Sequence, residues 1–308
     1  MKQKFFVLFL SILCWKFSKS QQADSIVLHN AVLYYYTYGT GEPIILLSGG
    51  PGIASQQEDD VALELGKHYK AILFDQRGTG RSWTKPLDSS TINLKKTTDD
   101  LDTLRKHLHI DKLNLYGHSW GSMLAAAYIA RFPEHVKLFI SNCGGEIDTS
   151  LTQTVTDNVS ARYQLGDTIK FNHWLDSAVI KKEPATAAYE LRKLKVGYAI
   201  YDTSKLDKVM KQVVHGERNA AMSALMWKSI RRELHFVAAL RAYKGKTLVI
   251  FGWNDMISLT TVTQYLQAFP NAEVNGIFNS GHYPEIEQPE EFFSILNNFL
   301  KTNLTSLR

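Results

Sequence analysis

The chain has 308 residues, of which 44% are hydrophobic and 21% are charged. This balance is usual for a soluble globular protein, and it disfavours disorder and fibrous or collagen-like repetition. The formal net charge of +5 by itself suggests an anionic partner such as nucleic acid or a membrane surface. Four of the 35 Lys and Arg residues lie in the first twenty positions, so the rest of the chain holds 31 basic and 30 acidic residues. We therefore expect no nucleic-acid partner.

Residues 1–20 have the pattern of a secretory signal peptide. Two lysines precede an apolar run from Phe5 to Trp15, and Ser18 and Ser20 are spaced as at a cleavage site. The apolar run is about half of the roughly 20 residues that span a bilayer. We expect export to a secreted or periplasmic location, with no stable membrane insertion after the signal is removed. An uncleaved anchor is the alternative.

Two cysteines occur in the chain, Cys14 and Cys143. Leu13 precedes Cys14 at a position where lipidation signals generally have a small residue, so Cys14 is interpreted as part of the leader, with lipid anchoring as the alternative. Cleavage leaves Cys143 alone, and no intramolecular disulfide can then form. Because Cys143 ends an apolar run, we expect a small buried side chain there and not a nucleophile.

The pattern along the chain alternates between strands and helices. Residues from Ile26 to Tyr38 are β-branched and aromatic, which predicts an antiparallel pair at the start of a sheet. Apolar runs typical of buried parallel strands follow at Ile44–Leu47, Ala71–Phe74, Leu113–Tyr116, Leu138–Ile140 and Leu248–Phe251. Helical patterns lie at Asp99–Leu108, Ser122–Phe132 and Glu290–Leu300. The alternation predicts an α/β fold, with a mostly parallel central sheet and helices on both faces.

One long segment interrupts this alternation. Between residues 147 and 243 the pattern is helical and contains no convincing strand. Glycines at 144, 145 and 245 are weak boundary marks on either side. We therefore predict a core made of residues 21–146 and 244–308, with residues 147–243 inserted as a helical cap.

A nucleophile motif lies between a predicted strand and a predicted helix. Residues 117–121 read GHSWG and match G-x-S-x-G, directly after the strand ending at Tyr116. The sharp turn needs small residues at Gly117 and Gly121, because larger side chains there would collide with the strand or the helix. The motif predicts Ser119 as the nucleophile. His118 is expected to support the turn and not to take the proton.

A serine nucleophile needs a base, and the base needs a group that fixes its tautomer. Asp255 follows the strand ending at Phe251, and His282 follows the apolar-leaning stretch Ala272–Phe278. Both lie where loops leave the carboxyl ends of strands. The order Ser, Asp, His is that of the α/β-hydrolases. Asp202 and Asp207 are poorer candidates because they fall inside the predicted cap.

Backbone donors for an oxyanion are expected after the strand at Ile44–Leu47. Residues 48–52 read SGGPG, and the glycines let backbone N–H groups approach a substrate. We assign the oxyanion hole to the N–H groups of Gly50 and Trp120, with a simple tight turn at the glycines as the alternative. The lysine and hydroxyl of a phosphate-binding loop are missing. We expect no cofactor and no metal.

Three segments together resemble the proline iminopeptidase, or prolyl aminopeptidase, family of α/β-hydrolases. They are GGPG at 49–52, DQRGTGRS at 75–82 and GHSWGS at 117–122, and the resemblance spans about residues 26–302. It implies an α/β-hydrolase fold and a serine peptidase that releases N-terminal proline or other small residues through an acyl-enzyme. It also implies that Asp75, Arg77 and Arg81 form an architectural charged turn. Ser48 departs from the family, which usually has histidine there.

The resemblance also implies acidic groups in the cap that hold the free amine of the substrate. Residues 231–236 read RRELHF and resemble the cap segment that carries one such group, which makes Glu233 the candidate anchor, with a surface glutamate on a charged helix as the alternative. A carboxylate in a desolvated pocket gains more from an ammonium ion than it does in water. The family's second acidic anchor directly follows a tryptophan, and this chain has no Trp-Glu pair. Glu217 is the substitute candidate.

Two other functions are kept as alternatives. The missing Trp-Glu pair and apolar cap residues such as Trp174, Met222, Met226 and Trp227 favour an esterase or other acyl hydrolase without amine recognition. A serine at the nucleophile position disfavours dehalogenases and epoxide hydrolases, which use a carboxylate there. The non-enzyme alternative is a ligand-binding receptor on the hydrolase fold. The expected partner is a short peptide or acyl substrate, and the sequence predicts no particular oligomeric state.

Overall fold

The computed structural model describes residues 21–163 and 165–304. The predicted signal peptide at residues 1–20, with Cys14, lies outside the described residues. Among the helices that are described, none is both long and apolar enough to cross a membrane.

A nine-stranded sheet forms the centre of the described chain. Its strands are β1 (Gln22–Val27), β2 (Ala31–Tyr38), β3 (Pro43–Leu47), β4 (Lys70–Phe74), β5 (Trp83–Thr84), β6 (Leu113–His118), β7 (Val136–Asn142), β8 (Lys246–Gly252) and β9 (Ala272–Ile277). Their order is β1-β2-β4-β3-β6-β7-β8-β9, with β5 paired to β2. The pairings of β2 are antiparallel, and those from β4 to β9 are parallel. The carboxyl ends of the parallel strands therefore share one edge.

Helices cover the sheet and fill the segment between β7 and β8. Those outside that segment are α1 (Asp59–Leu65), α2 (Leu94–His107), α3 (Trp120–Arg131), α11 (Ser258–Ala268), α12 (Pro284–Glu287) and α13 (Pro289–Leu304). Those within it are α4 (Thr152–Ala161), α5 (Leu165–Leu175), α6 (Ser177–Lys182), α7 (Pro184–Ala199), α8 (Leu206–His215), α9 (Ala220–Glu233) and α10 (Val237–Leu240). This inserted segment has no strand among its described residues.

Both faces of the sheet are buried, which is why its strands are continuous apolar runs. In β3, Ile45 and Leu47 belong to one hydrophobic cluster, while Ile44 and Leu46 belong to a cluster on the opposite face. The predicted α/β fold with a mostly parallel sheet is confirmed. The predicted helix at 99–108 begins earlier, at Leu94, because the side chain of Asn93 accepts a hydrogen bond from the Lys96 N–H and caps it.

The inserted helices pack on the core through a third hydrophobic cluster. Val209, Met210 and Val213 of α8 are buried in it together with Tyr283 and Ile286 from the chain after β9. The insertion therefore lies directly over the loop that follows β9.

Candidate active site

Ser119 occupies a strained turn between β6 and α3. Its backbone lies at φ 53° and ψ −114°, in a left-handed region that residues other than glycine rarely adopt. The Ser119 N–H donates to the Asn142 carbonyl at 2.9 Å, and the Gly145 N–H donates to the Ser119 carbonyl at 3.3 Å. These two bonds from the end of β7 hold the turn in its strained form.

The glycines on either side of Ser119 allow the close packing of this turn. A Cβ atom at Gly121 would lie 2.0 Å from the carbonyl oxygen of Leu47 in β3, and one at Gly117 would lie 2.4 Å from the backbone of Gly121. Real Cβ atoms essentially never approach other atoms this closely. Only glycine therefore fits at these two positions of the motif.

Asp255 and His282 form a hydrogen-bonded pair at the same edge of the sheet. Nδ1 of His282 lies 2.7 Å from Oδ2 of Asp255, and both side chains are buried. Asp255 follows β8 and also accepts hydrogen bonds from the Ile257 N–H and the Ser258 hydroxyl. The main-chain N–H of His282 donates to the carbonyl of Ala199, in the inserted segment, at 2.7 Å.

The electrostatics of this pair keep Asp255 ionised. Burial by itself raises the pKa of a carboxyl group, but the His282 charge and the hydrogen bonds from His282, Ser258 and Ile257 lower the pKa of Asp255 below its ordinary value. An ionised carboxylate only accepts, so Nδ1 of His282 donates to it. The other ring nitrogen, Nε2, is then the one available for proton transfer.

The predicted oxyanion donors come from the loop after β3 and from the first turn of α3. The loop after β3 passes against the turn, because a Cβ at Gly49 would lie 3.3 Å from Cβ of Ser119. Gly50 has φ +61°, a conformation that suits glycine. Trp120 is the first residue of α3, where backbone N–H groups have no intrahelical partner. The Ser48 hydroxyl donates to the Ile53 carbonyl at 3.1 Å and so closes the loop.

The charged side chains of Asp75 and Arg77, in the turn at residues 75–82, are bonded to neighbouring parts of the core. Asp75 accepts hydrogen bonds from the Ser55 N–H at 2.9 Å, the Ser55 hydroxyl at 2.7 Å and the Arg81 N–H at 3.0 Å. Arg77 forms a buried ion pair with Asp100 of α2. Each of these charged side chains therefore acts as a brace between elements.

The two predicted amine anchors, Glu233 and Glu217, are both exposed side chains of the inserted segment. Glu233, at the end of α9, is exposed and accepts a hydrogen bond from Ser229 of the same helix. Glu217 is exposed and lines a cavity of about 910 Å³ between α1 and α8. In the described chain neither carboxylate has a hydrogen bond or ion pair with Ser119, Asp255 or His282.

Cys143 is buried directly beside the pair. Its Sγ, a carboxylate oxygen of Asp255 and a ring nitrogen of His282 all lie within 4.8 Å of one another. Burial and the nearby carboxylates of Asp255 and Glu285 raise the pKa of the Cys143 thiol well above its ordinary value. The thiol is therefore neutral, in keeping with the small buried side chain predicted there.

Three further buried carboxylates near the site, those of Glu58, Glu285 and Glu287, were not identified from the sequence. Glu58 contacts the ring of His118, which directly precedes Ser119. Glu287 accepts a hydrogen bond from the Gly281 N–H and two more from Tyr201 and Asp202 of the inserted segment. None of the three belongs to a motif, and the only sequence signal is that Glu285 and Glu287 lie three and five residues after His282.

Comparisons with known proteins identify the family of the fold. Residues 42–289 match the family described as alpha/beta hydrolase fold. The proline iminopeptidase of Heyndrickxia coagulans is 27% identical over 276 residues, which cover 86% of this chain and 92% of that protein. The proline iminopeptidase of Clostridium botulinum is 26% identical over 285 residues, with the same coverage of 86% and 92%.

Solved structures share the fold at lower identity. An alpha/beta fold family hydrolase from Bacillus anthracis has a TM-score of 0.72 at 18% identity, covering 90% of this chain and 99% of its own. A thermophilic esterase from Thermogutta terrifontis has a TM-score of 0.67 at 19% identity, covering 91% and 98%. The predicted resemblance to proline iminopeptidases is confirmed. Because the family match extends over most of its length, the chain belongs to the α/β-hydrolase fold family.

Proposed function

We propose that this α/β-hydrolase is a serine hydrolase that forms an acyl-enzyme on Ser119. The observation that carries the proposal is the 2.7 Å contact between Asp255 and His282 at the sheet edge where the strained Ser119 turn lies. Nε2 of His282 takes the proton of Ser119 and then gives it to the leaving group, while Asp255 fixes the tautomer. The N–H groups of Gly50 and Trp120 stabilise the oxyanion, and water releases the acyl group in the reverse sequence of proton transfers.

For the substrate we propose short peptides with a free N-terminus, from which the enzyme releases proline or another small residue. Two relatives named proline iminopeptidase support this, since each aligns with this chain over 92% of its length. In this proposal Glu233 binds the substrate's ammonium group from the cap.

An esterase without amine recognition is the second candidate. It is favoured by the exposure of Glu233 and Glu217, because an exposed ion pair contributes only about 0–1 kcal/mol to binding. The absence of a Trp-Glu pair points in the same direction.

A substrate panel on the wild type and on Ser119→Ala tests the proposal. Proline and alanine arylamides are compared with acyl esters whose amine is absent or blocked. We expect hydrolysis of the free-amine arylamides, and a loss of about 10³-fold or more in Ser119→Ala because its hydroxyl attacks the substrate. Full turnover by Ser119→Ala would contradict the mechanism. Turnover of the esters alone would favour the esterase. Failure of a fluorophosphonate to label Ser119, together with no turnover, would favour a receptor.

A further inference from the structure

A buried ionisable pair lies beneath the nucleophile turn and takes no part in the proposed chemistry. Nδ1 of His118 lies 3.2 Å from Oε1 of Glu58, and Nε2 of His118 lies 2.9 Å from the main-chain carbonyl oxygen of His282. The side chains of His118 and Glu58 are 1% and 0% exposed. A residue adjacent to the nucleophile thus contacts the backbone of the base.

The partners of His118 determine where its protons lie. A carbonyl oxygen only accepts, so Nε2 carries a hydrogen and donates to His282. Nδ1 faces a carboxylate oxygen of Glu58, which accepts the Nδ1 hydrogen when the ring is protonated. Burial by itself lowers the pKa of a histidine, but the Glu58 carboxylate and the more distant Glu285 raise the pKa of His118 to about 9. The ring is therefore an imidazolium that donates in two directions.

The contacts around this pair connect the loop of the base to the turn of the nucleophile. Glu285, three residues after His282, accepts hydrogen bonds from Asn142 at 3.1 Å and from Gln212 at 3.2 Å. The main-chain carbonyl of Asn142 accepts the Ser119 N–H. Burial raises the pKa of Glu285, and the His118 charge opposes that effect.

We propose that His118 is a positioning residue for the hydrolytic reaction. Its Nε2–H holds the main-chain carbonyl of His282, while Glu58 holds the ring from the opposite side, and the base keeps its place beside Ser119. The inference rests on the proposed roles of Ser119 and His282. A displacement of about 1 Å in a catalytic group can lower the rate about 100-fold, so a single main-chain contact to the base is sufficient to matter.

Two amide variants of similar chemistry test the proposal. His118→Gln places an N–H near the position of Nε2, whereas the shorter amide of His118→Asn reaches only the position of Nδ1. We expect kcat of His118→Asn to fall about 10- to 100-fold with KM within about twofold. His118→Gln should recover most of kcat, and the rate of fluorophosphonate labelling at Ser119 should follow the same order. Equal kcat in the two variants would overturn the positioning role.

Controls separate this role from a general loss of structure. His135→Asn removes a histidine that contacts Asp102 at 3.1 Å before β7, at the opposite sheet edge, and should leave kcat unchanged. If His118→Asn does not fold, His118→Met takes its place in the comparison with His118→Gln. Methionine fills the space of the ring but has no hydrogen-bond donor. Activity that survives in Ser119→Ala would overturn the proposed function and this inference together. If activity depends on Ser119 but kcat is equal in His118→Asn and His118→Gln, only this inference is overturned.

Discussion

The strained backbone of Ser119 depends on neighbours that lack side chains. Gly121 lies so close to β3 that the Leu47 carbonyl occupies the place where its Cβ would be. The motif identifies this need from the sequence, because the strand and the helix that meet at the turn can approach only with glycine between them. Catalytic geometry and main-chain packing are therefore set by the same residue.

Alanine substitutions at two glycines distinguish this packing from ordinary helix propensity. Gly121→Ala should lower the free energy of unfolding by at least about 1–3 kcal/mol and abolish most turnover, since a backbone carbonyl cannot move aside easily. Gly197 in α7 has no heavy atom of the described chain within 4 Å of an added Cβ, so Gly197→Ala should raise stability by about 0.5–1 kcal/mol. Denaturant unfolding measures both. A Gly121→Ala protein as stable as Gly197→Ala would contradict this account.

The sequence predicts some of the site residues and not others. Asp255 and His282 could be chosen because each follows an apolar strand and because their order matches the motif. Their 2.7 Å contact agrees with that choice, while the catalytic roles of all three residues stay predictions. Glu58 could not be found, because it lies 60 positions before His118 and has no motif. A surface position was the alternative interpretation of Glu233, and the structure shows the side chain exposed, which depends on how α9 lies against its neighbours.

At the scale of the elements, the buried strands were predictable and their neighbours less so. An apolar run such as Leu248–Phe251 marks a strand covered on both faces, and β8 extends it by only two residues at one end and one at the other. The two-residue strand β5 is too short to produce a pattern. The start of α2 depends on one capping side chain, Asn93.

Stability should depend on pH through the contact of His118, at the end of β6, with Glu58, which directly precedes α1. The pKa of His118 is raised from 6.5 to about 9 in the folded protein, so its stabilising effect is complete below pH 6.5 and is lost as the pH rises to about 9. The effect is on the order of 3 kcal/mol. The double variant His118→Gln/Glu58→Gln should lose less stability over this range. Thermal unfolding at pH 6 and pH 9 checks this, and parallel declines in the two proteins would contradict it.

At the scale of the whole molecule, the helical insertion and the sheet meet over the proposed site. The chain leaves β7 and returns at β8, two parallel neighbours in the sheet. The insertion is therefore placed to contact a substrate held at the strand ends, where the proposed catalytic residues lie. The sequence indicated the insertion through its lack of strand patterns, but the packing of α8 against Tyr283 follows from tertiary contacts alone.

A pair of variants in the insertion tests whether it recognises an amine. Glu233→Gln should raise KM or lower kcat for free-amine arylamides much more than for N-blocked esters, because only the former carry the ammonium group. Glu217→Gln, the matched change at the other exposed glutamate, shows whether that residue shares the role. Steady-state kinetics on both substrate classes provide the comparison. Equal losses on both classes in Glu233→Gln would exclude it as an anchor.

The loop of His282 is attached on both sides of the junction between insertion and core. The main-chain N–H of His282 donates to the Ala199 carbonyl in the insertion, and the His282 carbonyl accepts from His118 in the core. The Glu287 carboxylate accepts from the main-chain N–H groups of Gly281 and Tyr201. The main chain of the proposed base is thus hydrogen-bonded to both the insertion and the core. A substitution in the insertion that shifts the Ala199 carbonyl should therefore also shift the main chain of His282, even though Ala199 lies outside the proposed catalytic residues.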